Sequence, residues 1–261
     1  MDQIIKSLFL GIIQGLLEWL PISSQGNLVI LMSSALGFTV SEALNISVFL
    51  HVGTGLAAVV YFRKDIPGII FRDSQENEGL FKFLFITTAI TGVIGLPLFI
   101  FAKEMSNYGE LLLAITGVAL ISTGLIQRRT QDVGDQSQNS LDPSNGLLLG
   151  VAQGFAAIPG ISRSGITTSI LLFKKYSGEA AFRLSFLMSI PAVFAAAVGL
   201  AIIEGVPQVD ANMIVAIAAS FLSALISIDF LIKTARRIKF WWLCIALGLL
   251  ALLPQFVNFL V

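Results

Sequence analysis

The chain of 261 residues is 56% hydrophobic and only 12% charged, about half the roughly 25% of a soluble domain, and its mean hydropathy is +0.87. Sixteen basic and sixteen acidic residues cancel. That excludes disorder, which needs low apolar content, and points away from nucleic acid, whose binders carry a basic excess or stripe. One cysteine and one histidine leave no internal disulfide, no thiolate metal site and no site needing two imidazoles. The expected class is an all-α polytopic membrane protein.

Taken in chain order, the first apolar region, 4–37, is interrupted by Glu18, Pro21, Ser23, Ser24, Gln25 and Asn27. It reads as a re-entrant pair of half-helices. Crossing the hydrocarbon core takes about 20 apolar residues, and three such spans follow at about 43–62, 80–102 and 111–127. The polar stretch 131–145 reads as a cytoplasmic linker. A second broken region, 146–173, is interrupted by Pro159, Gly160, Ser162, Arg163 and Ser164 and reads as a second re-entrant pair. Spans at about 182–203, 212–233 and 240–259 complete the chain. The expected domains are a first repeat, 1–130, the linker, and a second repeat, 146–261.

Loop charge sets the orientation. Arg63, Lys64 and Arg72 follow the first span, Arg128 and Arg129 the third, and Lys233, Arg236, Arg237 and Lys239 the fifth. The positive-inside rule puts these in the cytoplasm. The loops near Glu104 and Glu204–Asp210 then face out, and both termini lie on the outer face of the cytoplasmic membrane.

The two broken regions resemble each other. Gly11, Gln14, Gly15, Ser23 and Gly26 of the first fall at one constant offset on Gly150, Gln153, Gly154, Ser162 and Gly165 of the second. Three spans follow each, an odd number, so the second copy is expected upside down. Such inverted repeats place their sites near the midplane, at broken helices.

Ionisable groups inside a membrane are costly and default to functional hypotheses. Gln14 and Glu18 share one helical face at i and i+4, and Ser23, Ser24 and Asn27 follow the break. A carboxylate beside hydroxyls suits proton transfer to or from a nucleophile. The competing account makes Glu18 an interfacial residue beside Trp19. In the second region Ser162, Arg163, Ser164 and Thr167 suggest an anion site, because guanidinium grips phosphate in bidentate fashion and helix N-termini attract anions. Here the competing account is an arginine snorkelling to the interface. His51 reads more simply as a buried, hydrogen-bonded residue on an apolar helix than as a catalyst. Asp229 with Lys233 reads as a structural ion pair near the inner interface, and Glu179 with Arg183, also at i and i+4, as capping the span at 182–203. Zinc would need more ligands than His51 and Glu18 offer. Magnesium bridging Glu18 and a diphosphate fits the donor set, since that ion is often held by one or two carboxylates plus phosphate.

At these motifs the sequence resembles the undecaprenyl-diphosphate phosphatase family, also called bacitracin-resistance proteins. The first motif is matched by Gln14-Gly15-Leu16-Leu17-Glu18-Trp19-Leu20-Pro21-Ile22-Ser23-Ser24, and the second by Ile158-Pro159-Gly160-Ile161-Ser162-Arg163-Ser164-Gly165. Lesser signatures run from His51 to Gly55, from Tyr61 to Asp65 and from Phe186 to Ala192. The resemblance implies an integral membrane phosphatase that converts a long-chain polyprenyl diphosphate to the monophosphate and so recycles a lipid carrier. It implies two inverted repeats with re-entrant helices. It further implies that Glu18, Ser24 and Arg163 are catalytic, and that Gln14, Ser23, Asn27, Ser162, Ser164 and Thr167 surround the substrate. Pairing with a second copy of the chain stays open.

Two departures stand out. Many members carry glutamate where this chain has Gln14, and members usually carry histidine where it has Asn27. Asparagine cannot act as a general acid near neutral pH. Either Glu18 and Ser24 suffice, or another group such as His51 takes over, or hydrolysis is lost. The last option defines the alternative function, a lipid-phosphate flippase that uses the same headgroup site without chemistry.

Overall fold

In the computed structural model, residues 3–129, 145–205, 210–234 and 241–260 are described. All elements among them are helices: α1 (Gln3–Leu17), α2 (Ser24–Ala35), α3 (Val40–Tyr61), α4 (Ile66–Phe71), α5 (Gln75–Met105), α6 (Gly109–Arg129), α7 (Asn145–Phe155), α8 (Arg163–Phe173), α9 (Gly178–Glu204), α10 (Ala211–Thr234) and α11 (Trp241–Leu260). Four of them, α3, α5, α9 and α10, are long and apolar enough to cross a membrane. They coincide with four of the six expected spans. The expected span 111–127 falls within α6, and α11 covers the last one except residue 240, which lies outside the described residues. The expected linker lies almost wholly outside the described residues.

The breaks come where the sequence puts them. Pro21 lies between α1 and α2, and Pro159 with Gly160 between α7 and α8. Each second helix restarts on a serine cap. Ser23 Oγ accepts from Gly26 N at 3.3 Å, and Ser162 Oγ accepts from Gly165 N at 3.1 Å. These caps satisfy backbone donors that a helix start leaves open. A capping box of Thr39 and Glu42 starts α3. Asp210 starts α10 by accepting from Met213 N at 2.8 Å and from the Asn212 amide at 3.1 Å, and these donors hold its carboxyl below its ordinary pKa.

Small residues govern packing. The α1 helix lies along α10, so closely that a Cβ on Gly11 or Gly15 would meet the α10 backbone, at Ala216 O and Ser220 O respectively. The α7 helix lies along α5, where a Cβ on Gly150 or Gly154 would come within 2.7 Å of Ile90 Cβ or Ile94 Cβ. Lipid tails are as apolar as leucine, so helices in a membrane associate through close contact of this kind and through hydroxyl hydrogen bonds. Both pairs have those bonds as well. Ser227 Oγ donates to Gly15 O at 3.0 Å, and Thr91 Oγ1 donates to Gly150 O at 3.2 Å. The remaining large contacts pair α6 with α11, and α3 with α10 and α9.

Polar side chains such as Ser47, Thr54, Thr87, Ser185 and Ser220 are buried, while Leu8, Phe85, Val93, Ile202 and Ile226 are exposed. That inversion is what a hydrocarbon solvent selects. One apolar cluster gathers Trp19, Phe62, Phe83 and Phe186; another gathers Leu28, Met32, Leu44 and Leu112. The expected ion pair of Asp229 and Lys233 meets at 2.6 Å, and Arg183 reaches across to Asp65 at 2.5 Å. The second arrangement ties α9 to the loop after α3, a contact that helical spacing alone cannot forecast.

Candidate functional site

The two turns touch. Gly160 N donates to Ser23 Oγ at 3.2 Å, and Ser164 Oγ donates to Leu20 O at 2.9 Å. Gly160 holds φ +97° and Ser23 φ 58°, so both chains bend through the left-handed region at the crossing. Trp19 anchors the first turn. It is 1% exposed, its indole N–H donates to Ala224 O at 3.0 Å, and its ring lies 4.8 Å from that of Phe186. The interfacial account of Glu18 therefore fails, because Trp19 is a core residue and Glu18 itself is buried.

Glu18 is the hub. Its Oε2 accepts from Gln14 Nε2 at 2.8 Å and from Ser24 Oγ at 2.8 Å. Its Oε1 pairs with Arg163 Nη2. Arg163 Nη1 donates to Ser185 O on α9 at 3.2 Å. The guanidinium is thus turned inward, held by a carboxylate and a carbonyl, and the snorkelling account fails with it. A buried ion pair is costly to assemble and very costly to break from one side. Here it joins the first turn to the second.

His51, from α3, completes the cluster. Its Nε2 lies 3.2 Å from Glu18 Oε2 and 3.4 Å from Ser24 Oγ, and its Nδ1 lies 2.5 Å from Ser47 O. The sequence makes this a buried, hydrogen-bonded residue, and its partners here include the site itself. A histidine on an apolar helix carries no local sign of a partner, and the available signal was its being the one histidine in the chain.

A cavity of about 210 Å³ opens beside the cluster. Glu18, Ser23, Ser24, His51, Ser162, Arg163 and Ser164 border it, together with Gln153, Thr91 and apolar residues of α5 and α9 such as Leu96 and Val193. Six of the nine expected site residues are therefore on its wall. Gln14 stands behind Glu18 and steadies it. Thr167 stands behind Arg163, bonding Arg163 O and Ser185 Oγ at 2.7 Å each. The amide of Asn27 bonds the carbonyls of Ile22 and Ser23 at 2.7 and 3.0 Å. It closes the turn and does not border the cavity. A second cavity, of about 320 Å³, is lined by Ile66, Ile69, Phe81, Phe85 and Leu187. Thr88 lines both cavities. No cluster of three His, Cys, Asp or Glu side chains lies among the described residues.

The sequence model of the bacitracin resistance protein BacA family matches residues 7–250. Several curated relatives are similar over nearly the whole chain. An undecaprenyl-diphosphatase of Methanococcoides burtonii is 44% identical, covering 97% of this chain and 98% of its own. Proteins of the same name from Methanothrix thermoacetophila and Haloarcula marismortui are 36% and 35% identical. They cover 95% of this chain, and 95% and 96% of their own.

Proposed function

The chain belongs to the bacitracin resistance protein BacA family, and from that premise we propose that it is an integral membrane phosphatase. It hydrolyses a long-chain polyprenyl diphosphate, of the undecaprenyl diphosphate type, to the monophosphate and inorganic phosphate. The observation that carries this reading is the Glu18–Arg163 pair beside the Ser24 hydroxyl on a cavity wall. Phosphoryl transfer asks for little covalent chemistry and much positioning of charge. Arg163 can leave Glu18 for the diphosphate, where its planar fork grips two oxygens. The Ser162 and Ser164 hydroxyls and the start of α8 face the same cavity and add donors. Ser24 supplies the nucleophile, or orients the water that serves as one, and Glu18 polarises its hydroxyl. The apolar second cavity, next to the first at Thr88, suits the first isoprene units of the lipid.

Magnesium fits the oxygen donors available, the Glu18 carboxylate and the Ser24 hydroxyl, provided that the diphosphate completes its shell. Bound there it would neutralise phosphate charge. The flippase alternative is less favoured, because a carrier of anions gains nothing from a carboxylate at its headgroup site.

The same premise supports an inverted-repeat architecture. At 15, 12, 11 and 11 residues and about 1.5 Å per residue, α1, α2, α7 and α8 are too short to cross a core of about 30 Å, so each pair enters and returns. The first pair packs on α10 of the second half and the second on α5 of the first half, the exchange expected of two interlocked copies, 1–130 and 146–261. Termini on the outer face are supported by the basic residues that follow α3 and end α6.

The test is phosphate release from a long-chain polyprenyl diphosphate by the protein in detergent, with and without magnesium, for wild type, Glu18→Gln and Arg163→Ala. Release by wild type alone is expected. Lipid binding without release would establish the carrier instead.

A further inference from the structure

Outside the Glu18 cluster, one buried polar group on the cavity wall lacks a partner. Gln153, from α7, is 3% exposed and borders the cavity. Its Nε2 donates to Thr91 Oγ1 at 3.1 Å, and no donor among the described residues meets its Oε1. The Thr91 bond fixes the amide. Thr91 has one hydroxyl hydrogen, which goes to Gly150 O at 3.2 Å, so towards Gln153 its oxygen can only accept. Nε2 therefore faces Thr91, and the carbonyl is left over. A buried carbonyl without a donor is costly and needs an explanation. The repeat supplies part of it. Gln14, at the matching position, gives its Nε2 to Glu18 four residues on. The residue four after Gln153 is Ala157, which also borders the cavity. Gln14 leaves its Oε1 open too, but it stands behind Glu18 and does not reach the cavity wall.

The cavity is thus polar in two different ways. Arg163 and the start of α8 present hydrogens to it. The side made by α5 and α7 presents lone pairs, because Thr88 spends its hydrogen on Leu84 O at 2.7 Å and Thr91 spends its own on Gly150 O. A phosphate oxygen, which accepts, is attracted to the first side and repelled by the second. A water molecule, with two hydrogens to give, suits the second.

We propose that Gln153 positions the water that hydrolyses the phosphate ester or anhydride. The inference rests on the phosphatase reading, and it holds whether water attacks the diphosphate itself or a phosphoserine at Ser24. The water oxygen bonds to phosphorus while the bond from phosphorus to the leaving oxygen breaks. That oxygen, the bridging one or Ser24 Oγ, takes the electron pair. One hydrogen of the water ends on the leaving oxygen. The other stays in the inorganic phosphate, and it is this one that donates to Gln153 Oε1 during attack. The amide takes no proton; it aims the water, the task that glutamine performs in GTPases. The Thr91 bond keeps the carbonyl aimed.

Gln153→Met keeps the length of the side chain and removes the carbonyl. Misplacing a reacting group by about 1 Å costs about 10²-fold, so kcat should fall by that order. KM should stay within about 3-fold, because the lost contact is made in the transition state and Arg163 still holds the diphosphate. The melting temperature in detergent should hold, since the carbonyl has no partner in the fold. A merely structural glutamine would leave one further readout unmoved, the product ratio in a methanol–water mixture. Methanol has one hydroxyl hydrogen, which goes to the leaving oxygen, so its methyl group meets the Gln153 carbonyl in wild type. Methionine accepts that methyl. A fitted pocket discriminates one such group by about 10-fold or more, and the ratio of methyl phosphate to inorganic phosphate should rise by that factor in the variant. Thr91→Val, which frees the amide to turn, should move kcat and the ratio in the same directions by less, and it carries the test by itself should Gln153→Met not fold. A kcat for Gln153→Met within about 3-fold of wild type overturns the proposal, and so does an unchanged product ratio at any rate. Those results leave the phosphatase standing, whereas no release by wild type removes both.

Discussion

The two turns share a scaffold and differ in what they carry on it. In both, a glycine-faced helix packs on a span of the other half, a serine caps the restarting helix, and a glycine three residues on donates to that cap. The residue right after each cap is where they part. In the first turn it is Ser24, in the second Arg163, and both reach the same carboxylate. The counterpart of Glu18 in the second turn is Ala157 at the same offset. Matching positions thus hold the backbone, and chemistry sits where the match fails. A repeat that had stayed identical would offer either two anions or two cations and no complementary site.

The largest effect should come from separating that pair. Arg163→Ala should cut phosphate release by about 10³–10⁵, the range for an arginine that stabilises phosphoryl-transfer charge. It should also destabilise the protein by about 3–5 kcal/mol, because Glu18 is left buried without its partner. Combining Arg163→Met with Glu18→Gln should recover much of the melting temperature and none of the activity. Tm in detergent and phosphate release, measured on the same samples, check both halves of the claim. A double variant no more stable than Arg163→Met alone would mean that the pair does not bridge the turns.

The shared scaffold is predicted to be unequal in tolerance. At Gly15 an added Cβ meets Ser223 Oγ at 2.0 Å, Ser220 O at 2.5 Å and Ala224 N at 2.6 Å, whereas at Gly154 the nearest atoms are Ile94 Cβ and Cγ2 at 2.7 and 2.8 Å. Overpacking of a tight contact costs about 1–3 kcal/mol. Gly15→Ala should cost more than Gly154→Ala, because its closest contacts, at 2.0 to 2.6 Å, overlap more deeply than those at Gly154, at 2.7 to 3.3 Å. Thermal unfolding of the two single variants reads the difference. Equal losses would show that α7 lies against α5 as rigidly as α1 lies against α10.

Much of this was legible beforehand, for reasons that are physical. Prolines in apolar runs marked both breaks, and four long apolar runs became α3, α5, α9 and α10. Four of the five matched positions marked packing glycines and caps, which depend on local spacing. What depends on tertiary approach was not legible. His51 meets Glu18 only because α3 passes the first turn, and Arg163 finds Ser185 O only because α9 passes the second. Asn27 was placed near the substrate by the family resemblance alone, and its amide bonds two nearby carbonyls, those of Ile22 and Ser23. Arg183 also reaches Asp65, an acid outside its own helix.

The smallest effect separates the two caps. Ser162 accepts from one backbone donor, Gly165 N, whereas Ser23 accepts from two, Gly26 N and Gly160 N, the second from the other half. Loss of a serine cap costs about 1 kcal/mol, and a further buried donor left open costs about 1–3 kcal/mol. Ser23→Ala should therefore lower stability about twice as much as Ser162→Ala. Ser23 also sits at φ 58°, a conformation that glycine adopts without strain and alanine does not. Ser23→Gly should then recover about 1 kcal/mol relative to Ser23→Ala while the crossing bond to Gly160 stays broken. Equal melting temperatures for the alanine variants at 23 and 162 would reduce the bond between the turns to incidental contact, and the Glu18–Arg163 pair would then hold the crossing alone.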